Sequence, residues 1–148
     1  HAGVDFCRTK NGDGNSYKSP DSINQIQWER KEQYHDVFEY YKKLIQLRKN
    51  HPAFRMKSAE EIRSNLNFCT QYQLGVVSYC IQAKEVGESW GKIIMIFNGQ
   101  NNPVPVALPE GKFRHIAKGH EINEQGIGDS ISDEVNVDGI SMAILVEV

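Results

Sequence analysis

The chain lacks any run of about 18 apolar residues, the length that a membrane-crossing helix needs. Its longest apolar runs, 93–97 and 142–146, are only strand-sized. It also lacks an excess of charge of one sign. Its 17 Lys and Arg stand against 19 Asp and Glu, for a net charge of -2, so no broad positive field exists to hold nucleic acid. Cysteine is scarce and odd in number: Cys7, Cys69 and Cys80, with no CxxC spacing. The reading is three free thiols, with a Cys69–Cys80 bridge as the alternative. Free thiols fit a reducing compartment, and nothing else in the sequence points to a location. No Asn-x-Ser/Thr sequon and no internal repeat is present.

Metal-ligand spacing is missing as well. Of the five histidines (His1, His35, His51, His115 and His120), none stands three or four residues from another. Each is read as a surface or singly hydrogen-bonded side chain. The run Asn11-Gly12-Asp13-Gly14-Asn15-Ser16 alternates side-chain oxygens as a calcium loop does. Such a loop needs Gly at its sixth position and a bidentate Glu at its twelfth, where this chain has Ser16 and Ser22. The expectation is a glycine-rich loop with no metal and no cofactor.

What is present fits one ordinary domain, or a small domain with a helical lead-in. Apolar content of 39% and charged content of 24% are those of a globular chain. Residues 1–6 read as the exit of a buried strand, so the chain is expected to start inside a larger unit. Residues 7–27 are crowded with Gly, Asn, Asp, Ser and Pro, which form turns and loops. A loop of that length inside a compact domain is most often functional.

From 31 to 50 the period becomes helical. Val37, Phe38, Tyr41, Leu44, Ile45 and Arg48 follow the spacing of one buried stripe, and Pro52 ends the helix. Left uncovered, Phe38, Tyr41 and Ile45 would drive self-association. Ser58 with Glu61 three residues on is a capping box, opening a short helix that ends near Asn65. After Tyr72 the chain turns to β pattern, with strands expected at 74–83, 92–98, 104–108, 112–117, 131–137 and 140–148. Glycines, including Gly126 and Gly128, are read as separators, and Asp138–Gly139 as a two-residue hairpin turn. Short strands with frequent turns give an antiparallel β-sandwich, so the fold class is α+β.

Adjacent carboxylates occur at Glu60–Glu61 and Asp133–Glu134. Glycoside cleavage needs two carboxyls about 5–10 Å apart across a cleft, one of them kept neutral by burial. Neighbours at a helix start or in a polar turn do not meet that condition, and no catalytic residue is expected. Trp28 and Trp90, with Tyr17, Tyr34, Tyr72 and Tyr79, offer flat ring faces on which a sugar can pack. Trp90, beside Gly91, is expected to be exposed.

The segments Phe6-Cys7-Arg8-Thr9-Lys10 and 15–26, together with Trp28, resemble type I pullulanases of the α-amylase superfamily. The helix 40–55, with its Asn50-His51-Pro52-Ala53-Phe54-Arg55 end, is similar to the last helix of that family's (β/α)8 barrel. Val4 stands where the family more often has an acidic residue, and the three cysteines are departures too. The resemblance implies that 1–55 is the end of a catalytic barrel, 56–72 a connecting short helix and linker, and 73–148 an all-β C-terminal domain. It implies a parent enzyme that hydrolyses α-1,6 links in pullulan and branched starch with retention. That parent would use a nucleophilic carboxylate and a general acid held on earlier barrel strands. None of those motifs occurs in this chain, so its expected part is non-catalytic: to pack on its own barrel and to supply one loop of the active-site face. On that loop Arg8, Asn15, Tyr17, Asp21 and Asn24 are expected to line the cleft or to brace it, and these with Trp28 are the expected contacts to α-glucan. The alternative is a free-standing maltodextrin-binding sandwich using Trp28 and Trp90.

Overall fold

Turn-forming residues keep strands out of the first 45 residues. The computed structural model describes residues 1–69 and 73–148, and divides them into two units, His1–Ile45 and Gln46–Val148. Tyr72 and the end of the expected 56–72 linker lie outside the described residues.

In the first unit Val4–Phe6 is a 3-10 turn rather than a strand exit. Gly3 and Cys7 on either side of it take left-handed conformations (φ 85° and 57°). These reverse the chain, and Arg8 N–H closes the reversal on Gly3 O at 2.9 Å. Two left-handed residues within five positions are incompatible with an extended ladder. A second 3-10 turn, Ser16–Lys18, is followed by α1 (Asp21–Asn24), α2 (Arg30–Gln33) and α3 (His35–Asn50). Tyr34 breaks the expected single helix, with φ -116° and ψ 43°. The division between units falls within α3.

The stripe expected on α3 is not uniformly buried. Tyr41 is 36% and Ile45 56% exposed, Arg48 is exposed, and Val37, Phe38 and Leu44 are half-buried. Leu47, which the period left out, is buried. Periodicity finds an apolar face but not what covers it.

In the second unit, Pro52–Arg55 forms a 3-10 turn and α4 spans Ala59–Asn65. Ser58 Oγ accepts the Glu61 N–H at 3.0 Å. The Glu61 carboxylate reaches one residue further back than a capping box requires, to the Lys57 N–H at 2.7 Å. Eight strands follow among the described residues: β1 (Leu66–Phe68), β2 (Val76–Gln82), β3 (Lys92–Asn98), β4 (Val104–Ala107), β5 (Phe113–Lys118), β6 (Glu121–Ile131), β7 (Glu134–Val137) and β8 (Ser141–Glu147). They form a six-stranded sheet ordered β1-β2-β3-β8-β5-β6 and a two-stranded sheet β4-β7, with every pairing antiparallel. Alternation on β3 and β8 sends Ile94, Ile96, Ala143 and Leu145 to the inner face, where they meet Val104, Val106, Val135 and Val137 of the smaller sheet. This is a β-sandwich core, and Phe113 and Leu145 within it are fully buried.

Two strands escaped the sequence reading, and one turn was misassigned. β1 is too short for its pattern to register. β6 contains Gly126 (φ 109°) and Gly128 (φ 67°), which serve irregular pairing with β5 instead of ending a strand. Asp133 (φ 65°) splits the expected 131–137 strand between β6 and β7. Asp138–Gly139 does not close a hairpin, because β7 pairs with β4 while β8 pairs with β3 and β5. It carries the chain from one sheet to the other.

Candidate functional site

The loop 7–27 is organised by Asn24, at the end of α1. Its Nδ2 donates to Ser16 O at 2.7 Å and Ser19 O at 2.8 Å, and its Oδ1 accepts from Lys10 Nζ at 2.9 Å. Lys10 Nζ also donates to Ser16 Oγ. Arg8 closes the ring, with Nη2 donating to Asn24 O and Nη1 to Ala2 O at 3.3 Å. The Arg8 Nε is buried without a partner. Arg30 donates from Nε (3.0 Å) and Nη2 (2.6 Å) to Cys7 O, and so ties α2 to the start of the loop. Cys7 has its carbonyl free for this because its left-handed conformation turns the chain there.

Asp13, the acid of the calcium-like run, is committed inside the loop. It accepts from Ser19 Oγ and from the Asn15 N–H at 3.0 Å. Those two bonds, the serine's first, hold its carboxyl below the ordinary carboxylate value. Among the described residues no group of three or more His, Cys, Asp or Glu could hold a metal.

Of the side chains expected to touch sugar, the structure brings Arg8 and Asn24 together as a brace. Asn15, Tyr17, Asp21 and Trp28 are exposed. Tyr17 is 76% exposed, with Lys18 Nζ 5.3 Å from its ring centre. Trp28 is 66% exposed and leans on Phe6, with ring centres 5.8 Å apart. The loop therefore has a hydrogen-bonded interior of charged and amide groups, and a surface bearing two aromatic rings and an amide.

The second unit holds a cluster that sequence reasoning missed. His51 is 8% exposed and stacks on Trp90, with ring centres 3.7 Å apart at 14°. Its Nδ1 lies 3.1 Å from Glu88 Oε2, and its Nε2 lies 3.3 Å from Glu124 Oε2. It is a buried histidine with a single side-chain hydrogen bond, to Glu124, and with the Glu88 carboxylate close to its other nitrogen, while Trp90 is half-buried instead of exposed. No spacing signal could have found this, since the four residues come from a helix end, a loop and β6.

Cys69 and Cys80 are both free and half-buried. They line an apolar depression of about 390 Å³ together with Asn67, Gln82 and Lys92. Burial raises the Cys80 thiol above its ordinary value, which makes it a poor nucleophile. Lys92 is paired with Glu147 at 2.8 Å, and this bond raises its amine.

Residues 62–121 match the family model described as pullulanase, all-beta domain. The curated pullulanase of Bacillus subtilis (strain 168) is 36% identical over 146 residues, which is 98% of this chain and 20% of that protein. The solved pullulanase of Bacillus acidopullulyticus superposes with a TM-score of 0.93 at 36% identity, over 98% of this chain and 18% of that one. The chain matches the C-terminal region of pullulanases. A third relative, the pullulanase of Anoxybacillus sp. LM18-11, was solved with maltotetraose; its TM-score is 0.87 at 28% identity, over 100% of this chain and 20% of that one. The chain spans about a fifth of the length of these pullulanases. The residues matched by that model run from within α4 to the start of β6, and so take in the first five strands of the sandwich.

Proposed function

We propose that this chain is the non-catalytic C-terminal region of a pullulanase-type enzyme that hydrolyses α-1,6 links in pullulan and branched starch. Residues 1–55 would complete the catalytic barrel, 56–72 would connect, and 73–148 would pack on the barrel and stabilise it. The observation that carries this reading is the match of almost the whole chain to one fifth of each relative, helix and sandwich together. The contacts of its acidic groups point the same way: Asp13 is committed to Ser19, Glu61 to the Lys57 N–H, and Glu147 to Lys92. A glycosidase needs two carboxyls facing one cleft, one of them kept neutral.

In this reading the braced loop 7–27 is a wall of the active-site face. Arg8 and Asn24 set its shape, while Asn15, Tyr17, Asp21 and Trp28 meet α-glucan. Reducing-sugar release from pullulan is the deciding assay. The isolated chain should give none above a blank, and any release sinks the non-catalytic assignment. The same assay on a complete pullulanase carrying this region, wild type against Asn24→Ala, should show a lower kcat/KM if the loop lines the cleft.

A second reading, a maltodextrin-binding module, is favoured by the exposure of Trp28 and Tyr17 on one loop. Trp90 suits it less, because one of its ring faces is taken by His51. Titration with maltoheptaose, followed by tryptophan fluorescence, should give a saturable change that Trp28→Ala removes. A flat response at millimolar sugar excludes this reading.

A further inference from the structure

Two asparagines stand directly before a glycine, Asn11 and Asn98. The pairing has a chemical meaning. A glycine nitrogen has no Cβ beside it to block its approach to the side-chain carbonyl carbon of the residue before. The two sites are alike in sequence and opposite in structure.

Asn98–Gly99 is closed to that reaction. Asn98 is 2% exposed, and its Nδ2 donates to Asn102 O, Val137 O and Asp138 O while its Oδ1 accepts the Gln100 N–H. The Gly99 N–H donates to Gly75 O at 2.8 Å. Neither the attacking nitrogen nor the side-chain amide can move until the strand ends open.

Asn11–Gly12, in the loop of the first unit, is open to it. Both residues are exposed, and a Cβ at Gly12 would meet nothing within 4 Å. Their φ angles are 53° and 84°, left-handed values that Asn and Gly adopt more readily than other residues. They occupy the two central positions of a turn that the Asp13 N–H closes on Lys10 O at 3.0 Å. The Asn11 N–H donates to Thr9 Oγ1 at 3.1 Å. Among the described residues no hydrogen bond holds the Asn11 side-chain amide or the Gly12 N–H. The turn also bears on the rest of the loop, because the Asp13 carboxylate accepts Ser19 Oγ and the Asn15 N–H.

We propose that Asn11 is a self-modifying residue: the Gly12 nitrogen bonds to Asn11 Cγ, ammonia leaves, and water opens the resulting succinimide to isoaspartate, with aspartate as the companion product. The Gly12 N–H proton departs with the side-chain NH2 as ammonia. Water supplies one oxygen of the new carboxylate, so no oxidant, reductant or second protein takes part. Isoaspartate routes the main chain through the former side chain and adds one CH2 to the Lys10–Asp13 turn. That added length draws the Asp13 N–H away from Lys10 O. The reaction belongs to the loop of the first unit and stands whether or not the chain serves a glucan hydrolase.

The test is to age the whole chain in mildly alkaline buffer and map its tryptic peptides by mass, against a sample digested without ageing. Peptide 11–18 should gain the mass of an NH2-to-OH exchange, placed by fragmentation at Asn11 and not at Asn15. An isoaspartyl-specific methyltransferase should label that peptide. Asn98, in peptide 93–112, should convert at least roughly tenfold more slowly, since it reacts only from an opened state. Asn11→Gln, whose longer side chain would have to close a larger ring, should stay unlabelled. Hydrogen exchange of the Asp13 amide should be roughly tenfold faster in the isoaspartyl form. In Asn11→Asp, which carries the same charge on an ordinary backbone, it should change less than about twofold. Equal conversion of Asn11 and Asn98, or an intact Asn11 after Asn98 has reacted, overturns the assignment. An Asp13 amide as protected in the isoaspartyl form as before ageing overturns the effect on the turn.

Discussion

Asn98 Nδ2, on β3, donates to Val137 O on β7 at 3.1 Å and so stitches the larger sheet to the smaller one at the end of the core. Asn98 is 2% exposed, and the same nitrogen also reaches Asn102 O and Asp138 O at 2.9 Å each, while its Oδ1 accepts the Gln100 N–H at 2.9 Å. Removing this amide leaves the buried Val137 carbonyl and two part-buried ones without this donor, at a cost of about 1–3 kcal/mol for the buried one. Asn98→Ala should therefore destabilise the sandwich by roughly 2–4 kcal/mol. Asn98→Asp should do worse, by placing an acid against three carbonyls. Urea denaturation of each variant checks this. An unchanged midpoint for Asn98→Asp would mean that the amide does not hold the sheets together.

The turn between those sheets has no room for a side chain. A Cβ at Gly139 would lie 2.2 Å from Asn101 O and 2.4 Å from Asn101 C, both backbone atoms that cannot swing aside. Gly139→Ala should cost about 2–4 kcal/mol through forced backbone displacement. Gly14→Ala is the control. Its Cβ would meet nothing within 4 Å and its backbone is not left-handed, so the expected change is within about 0.5 kcal/mol. Thermal midpoints of the two variants should separate clearly.

That turn also marks how far the sequence could be read. β3 is expected at 92–98 and observed at Lys92–Asn98, because an unbroken apolar run between glycines admits one interpretation. The Ser58 cap was legible for the same reason: its signal is local. Asp138–Gly139 has the composition of a hairpin turn, but its strands pair elsewhere, and pairing is a long-range choice that composition does not encode. Gly126 and Gly128 misled in the opposite direction, since positive φ serves an irregular strand as well as a turn. In the loop, residue types picked Arg8 and Asn24 as important but could not distinguish a brace from a contact. The His51 cluster was invisible because its members, Asn50–His51, Glu88, Trp90 and Glu124, meet only in the folded unit.

Asn24 joins three separate parts of its loop, so the loop should loosen as a whole when the amide is lost. Asn24→Ala removes donors to Ser16 O and Ser19 O and an acceptor for Lys10. A loss of about 1–3 kcal/mol in local opening should speed tryptic cleavage after Lys10 and Lys18 by tenfold or more. Unfolding of the β unit, followed in parallel by urea, should be unaffected. Equal cleavage rates in the two proteins would show that the loop is held by other contacts.

His115, on β5, is buried with its Nε2 unpartnered. Burial first, and the nearby Lys118 second, depress its pKa below the ordinary 6.5. The sign follows from linkage: the unfolded chain binds a proton near pH 6.5 that the folded chain refuses, so this residue contributes nothing above that pH and destabilises below it. The loss grows until the pH reaches the depressed native value. For His115→Phe, which keeps a flat ring and deletes the orphaned nitrogen, unfolding free energies at about pH 5, 6 and 8 should show the variant gaining on the wild type as pH falls. A difference between the two proteins that stays constant over that range would mean that His115 takes up its proton equally well in the folded state.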